Sequence, residues 1–125
     1  MSLRVAFKDK FKIAHERINE LHMKRQNGES VDSLEYSKTL SEVLGEQPPD
    51  PLILQMIQKM QSSTEDNEKE VIEFYKKDLN PDLQYITYEA LRLIAEVERA
   101  TSPESQHLVK QVKWLGLLEQ ADKEC

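Results

Sequence analysis

Phe7, Phe11, Ala14, Ile18 and Leu21 recur at intervals of 4, 3, 4 and 3, which lays all five along one stripe of an α-helix and turns Lys8, Lys12, Arg17 and Glu20 away from it. The spacing predicts a helix from about Leu3 to Gln26, stopped at Asn27-Gly28, where glycine can take the left-handed conformation that closes a helix. At roughly 30 Å or more by the usual rise per residue, it is long for a small domain, and its tail is expected to project. A second helix is expected to start at Asp32, whose pairing with Glu35 reads as a capping box, to carry Leu34, Leu40, Val43 and Leu44, and to end at Gly45. Ser37 and Ser41 dilute its apolar face.

Residues 46–51 hold three prolines and form a rigid, extended connection, because a proline and the residue before it avoid helical dihedrals. A subdomain break, if there is one, falls there. The third helix begins at Pro51 and carries Leu52, Ile53, Leu54, Met56, Ile57 and Met60, apolar almost all round and therefore expected to be buried between neighbours. Ser62-Ser63-Thr64 interrupts it, and Ser62 with Glu65 makes another capping box, so that a fourth helix follows, or the two form one helix kinked at the serines. The fourth has Val71, Ile72, Phe74, Tyr75 and Leu79 beneath a face of Glu and Lys.

Leu83, Ile86, Ala90, Ile94 and Val97 make the longest stripe after the first, flanked by Tyr85, Tyr88, Leu91 and Leu93, with Glu89, Arg92, Glu96 and Arg99 opposite. This fifth helix reads as the central one. Thr101-Ser102-Pro103-Glu104 is expected to open the last helix, with Leu108, Val112, Leu115 and Leu118 inward and Trp114 and Leu117 on a second flank. Asp50-Pro51, Asn80-Pro81 and Ser102-Pro103 each place a capping side chain before a residue that can begin a helix but not continue one. The pattern therefore predicts an all-α fold, an antiparallel bundle or short irregular array of five to six helices in one domain over residues 1–125, with no repeat of constant period.

Composition adds a lean core: 38% of the residues are hydrophobic and 32% charged, and such helical cores often complete themselves by association, which favours a homo-oligomer or an obligate partner. The only cysteine is Cys125, so no intramolecular disulfide forms and a reducing cytoplasm is the expected compartment. No apolar run reaches the length of a membrane span. The net charge of −6 argues against general nucleic-acid binding. Its distribution is uneven, because residues 1–26 hold seven Lys/Arg against three acids, a net of +4, which leaves −10 on the remainder.

Candidate chemistry is sparse. His15 and His22 lie about 10 Å apart along the first helix with Asn19 between, too far to share one metal, and read as solvated flank residues. Glu104 and His107 have the Glu-x-x-His spacing of carboxylate-bridged metal bundles, but Asn19-Glu20-Leu21-His22 lacks the glutamate a second copy needs. Glu68, Glu70 and Glu73, and likewise Glu96 and Glu98, are assigned to solvent faces. The three glycines are isolated, and no serine or thiol stands beside an evident base.

These readings point to a non-enzymatic module for protein–protein contact, an adaptor, regulator or inhibitor, without cofactor or metal. Its expected contact residues are Phe7, Lys8, Phe11, Lys12, Arg17 and Ile18 on the first helix, with Tyr85, Tyr88 and Trp114, whose amphipathic rings suit an interface. The alternatives are a basic first helix bound to an anionic membrane or nucleic acid, or a carboxylate/His metal enzyme. The first helix could equally dock on the acidic remainder of its own chain.

Overall fold

A computed structural model describes residues 3–44 and 50–123. They form six α-helices: α1 (Leu3–Gln26), α2 (Ser33–Leu44), α3 (Pro51–Ser62), α4 (Glu68–Asp78), α5 (Pro81–Thr101) and α6 (Gln106–Lys123), with a 3-10 turn Glu65–Asn67 leading into α4. No strand occurs among the described residues. The all-α array expected from the spacing is the observed fold. The stop at Gly45, the connection over 46–49 and Cys125 lie outside the described residues.

Most boundaries follow from capping chemistry. Gly28 takes φ +87° and closes α1, with the Glu29 N–H donating back to the Lys24 carbonyl at 3.0 Å. Asp50 Oδ1 accepts the Leu52 N–H at 2.8 Å and Asn80 Oδ1 accepts the Leu83 N–H at 3.0 Å, each with proline as the first helical residue. At α2, Asp32 Oδ1 accepts the Leu34 N–H at 3.0 Å.

Two expected boundaries are displaced. Ser62 stays inside α3, its hydroxyl donating to the Gln58 carbonyl, and the break closes two residues later, where Asn67 Oδ1 accepts the Thr64 N–H at 2.7 Å. Ser102 does not open α6, because its own N–H still donates to Glu98 at the end of α5. Ser105 caps α6 instead, its hydroxyl accepting the His107 N–H at 3.2 Å, and Pro103 sits in the intervening turn.

Helix α5 is central, packing against α1, α2, α3 and α6, while α2 also lies on α1 and α4 packs on α3 and α6. Leu83, Ile86, Ala90 and Val97 are buried on it as the stripe implied, and the flanking Leu91 and Leu93 join them, but Ile94 is only half-buried. On α2 Val43 is buried and Leu40 half-buried as expected, but Leu34 is 71% exposed and Tyr36 and Thr39 are buried instead. On α3 burial is one-sided, with Ile53, Met56 and Met60 inside and Leu54 exposed. On α6 Leu108 and Leu118 are buried as expected, but Val112 faces solvent and Trp114 of the second flank, 2% exposed, is buried in its place.

Candidate functional site

Opposite faces of α5 meet very different surroundings. On the α1 side, aromatic and charged contacts hold the interface, beside a cleft of about 410 Å³ lined by His15, Ile18, His22 and Glu96, where His22 Nδ1 is buried without a hydrogen-bond partner among the described residues rather than solvated. Phe11 stands edge-on to Tyr85 with ring centroids 6.5 Å apart, Phe7 stacks against Phe11, and the Arg4 guanidinium lies 4.6 Å over the Tyr85 ring. One turn further along α1, His15 Nδ1 donates to Glu96 Oε2 at 2.7 Å and Nε2 donates to Glu89 Oε2 at 3.2 Å. Glu89 and Glu96 are seven residues apart, so two turns of α5 grip one imidazole that carries a proton on both nitrogens. The Glu89 hydrogen bond, seconded by that to Glu96, overcomes the desolvation of the ring and pushes the His15 pKa up to about 9. Arg17 pairs with Glu42 of α2, and Arg25 donates to the Ala100 carbonyl near the end of α5.

This closure corrects two expectations. His15 is not a solvated flank residue but a clamp between helices, and Glu96 belongs to that clamp rather than to a solvent face. It also places the expected contact residues. Phe7, Phe11 and Ile18 are buried within the chain, Arg17 is engaged by α2, Tyr85 and Tyr88 are half-buried, and Lys8 and Lys12 are exposed on one flank of α1. Burial, the largest influence on both rings, raises the pKa of Tyr85 and Tyr88.

On the other side of α5 a cleft of about 670 Å³ lies between α3, α5 and α6, within the range of sites that take a ligand or a partner side chain. Its apolar lining comes from Ile57 and Met60 of α3, Leu91 and Ile94 of α5 and Trp114 of α6. Thr87 and Glu98 of α5 and Gln111 of α6 supply polar groups to the same lining, with Gln61, Gln106, His107 and Lys110 completing it. Three of these polar atoms are buried without any hydrogen-bond partner: Thr87 Oγ1, Glu98 Oε2 and Gln111 Oε1. A buried polar atom in that condition costs about 1–3 kcal/mol, so three around one cleft are a concentrated expense in a folded chain.

Protein-family models, curated proteins and solved structures contain no match to this chain.

The cleft therefore has to be read from its own chemistry. Thr87 is 1% exposed, yet its hydroxyl has no base within hydrogen-bonding distance, so it is not set up as a nucleophile. The Lys110 ammonium is turned towards the Gln61 carbonyl across the mouth and ties α6 to the end of α3. Glu104 and His107 are both exposed, and among the described residues no three His, Cys, Asp or Glu side chains gather as they would around a metal ion. What the cleft can do is hold an apolar body and meet a polar head at chosen points.

Trp114 is the one expected contact residue that lines it. Thr87, Glu98 and Gln111 were missed, and Glu98 had been assigned to solvent. A signal was present: Thr87, Leu91, Ile94 and Glu98 repeat at 4, 3 and 4, a second stripe on the helix whose first stripe forms the core.

Proposed function

We propose that this chain is a non-enzymatic helical interaction module, an adaptor, regulator or inhibitor, that receives a segment of a protein partner in the cleft between α3, α5 and α6. The observation that carries this reading is Thr87: a side chain withdrawn from water, lining a cleft, with no partner for its hydroxyl among the described residues. Folding gains nothing from that arrangement, whereas an incoming segment would satisfy it while covering Leu91, Ile94 and Trp114. Helix-in-groove recognition uses this combination of apolar anchors and a few placed polar groups. Among the described residues no helix is long and apolar enough to cross a membrane, and the cations Arg4, His15, Arg17 and Arg25 of α1 are already engaged within the chain, which favours a protein partner over a lipid or nucleic-acid surface. A reducing, cytoplasmic setting is part of the proposal.

The test is affinity capture from the native host with two matched variants. Ile94→Glu puts a charge into the cleft at a half-buried position, and Ile13→Glu puts the same charge on the exposed outer face of α1. The expected result is a captured partner lost with Ile94→Glu and kept with Ile13→Glu, both variants retaining the helical circular-dichroism spectrum. Equal capture by the two variants would remove the cleft from the reading.

A further inference from the structure

The polar atoms left unpartnered in the cleft have a chemical bias. Glu98 Oε2 belongs to an acid and Gln111 Oε1 to an amide carbonyl, so two of the three atoms can only accept hydrogen bonds from what enters, and the third, the Thr87 hydroxyl, can accept as well as donate. A carboxylate oxygen shielded from water is stabilised best by a charged donor. Among the described residues no cation pairs with that oxygen: Lys110, which lines the cleft beside His107, directs its ammonium to the Gln61 carbonyl. Glu98 lies three residues before the end of α5 and Gln111 five residues into α6, so both stand towards the turn that joins these helices, with Trp114 and Leu91 deeper along the cleft.

From this geometry, and resting on the reading of the cleft as a docking site for a protein segment, we infer that the segment is cationic and amphipathic: apolar side chains cover Leu91, Ile94 and Trp114, and an arginine reaches Glu98 and Gln111. Thr87 to Glu98 spans eleven residues of α5, about 16 Å, which matches roughly three turns of a docked helix. Arginine fits better than lysine because its planar fork presents several N–H donors at fixed angles, and two acceptors on facing helices need two separate donors. The charge balance agrees, since residues 27–125 carry a net −10 and would attract a basic segment before contact.

Trp114 is the only tryptophan and lines the cleft, so its fluorescence reports occupancy directly. The experiment titrates the full chain with hexylguanidinium, hexanol and hexyl sulfate, which share an apolar body and differ in the head. Hexylguanidinium is expected to give a saturable change at a concentration at least fivefold lower than either of the others, and Glu98→Gln to bring it level with hexanol. Hexanol or hexyl sulfate binding as tightly, or a cation preference that survives Glu98→Gln, would overturn the arginine while leaving the cleft as a docking site. No saturable change with any probe would overturn both. The comparison of three probes on the unaltered chain decides the charge preference even if the variant perturbs folding.

Discussion

The two faces of α5 use the same residue type for opposite ends. Glu89 and Glu96 face α1 and are consumed by His15, whereas Glu98, two residues beyond Glu96 and so rotated to the other side, is left with an unpartnered oxygen beside an apolar cleft. The α1 face is held by aromatic packing and ion pairs and has one buried atom, His22 Nδ1, without a partner beside a smaller cleft, whereas the other face gathers three such atoms around the larger cleft. The contrast teaches that the acidity of α5 is not a uniform solvated surface. Its partner on one side is the basic α1, and on the other side Glu98 Oε2 has no hydrogen-bond partner among the described residues.

The strongest way to break this contrast is to open the closed face. Phe11 is 1% exposed and packs on both Phe7 and Tyr85, so Phe11→Ala is expected to cost about 3–5 kcal/mol in urea unfolding. A loss under about 1 kcal/mol would mean that α1 is not tightly seated. Phe11→Asp would for the same reason report on folding rather than on assembly.

The next effect is electrostatic. The folded-state pKa of His15 is raised above its ordinary 6.5 to about 9, so the clamp contributes its full stability below about pH 6.5 and loses it as pH rises through 9. Unfolding free energy is expected to fall by of order 2 kcal/mol between pH 6 and pH 9.5, less than the whole shift implies because the ring keeps some contact with solvent. His15→Gln should flatten that slope. A wild-type profile already flat over this range would show that Glu89 and Glu96 do not hold a charged imidazole.

How much of this was legible in the sequence differs between the two faces. The α1 stripe, its glycine stop and the proline starts of α3 and α5 were readable because each depends on a local pattern of periodicity or capping. The net charge of α1 against the remainder pointed at its docking. The clamp itself was not readable, because it joins positions 81 and 74 residues apart whose rotation relative to one another is set by packing. The α6 start was missed because Ser102 could serve either the end of one helix or the beginning of the next, and the hydrogen bond to Glu98 decided it. The cleft was missed because Thr87, Glu98 and Gln111 read as ordinary polar positions beside the core stripes, and only the facing helices withdraw Thr87 and Glu98 from water.

Smaller effects sharpen the comparison. Thr87→Val keeps the shape and removes an unsatisfied hydroxyl, so thermal unfolding should show a gain of about 1 kcal/mol in the free chain while hexylguanidinium, whose head sits about 16 Å away at Glu98, binds as before. A loss of stability instead would show that the Thr87 hydroxyl is satisfied in the folded chain. Tyr36, buried with its hydroxyl unpartnered, is a control outside the cleft: Tyr36→Phe should stabilise by a similar or smaller amount and leave binding unchanged.

Amide-resolved NMR of the isotope-labelled chain during the hexylguanidinium titration tests the central claim most directly. The account expects shifts concentrated at Leu91, Ile94, Glu98, Gln111 and the Trp114 indole, with Phe11, His15 and Tyr36 unmoved. Shifts centred on α1 and α2, with the cleft silent, would contradict it.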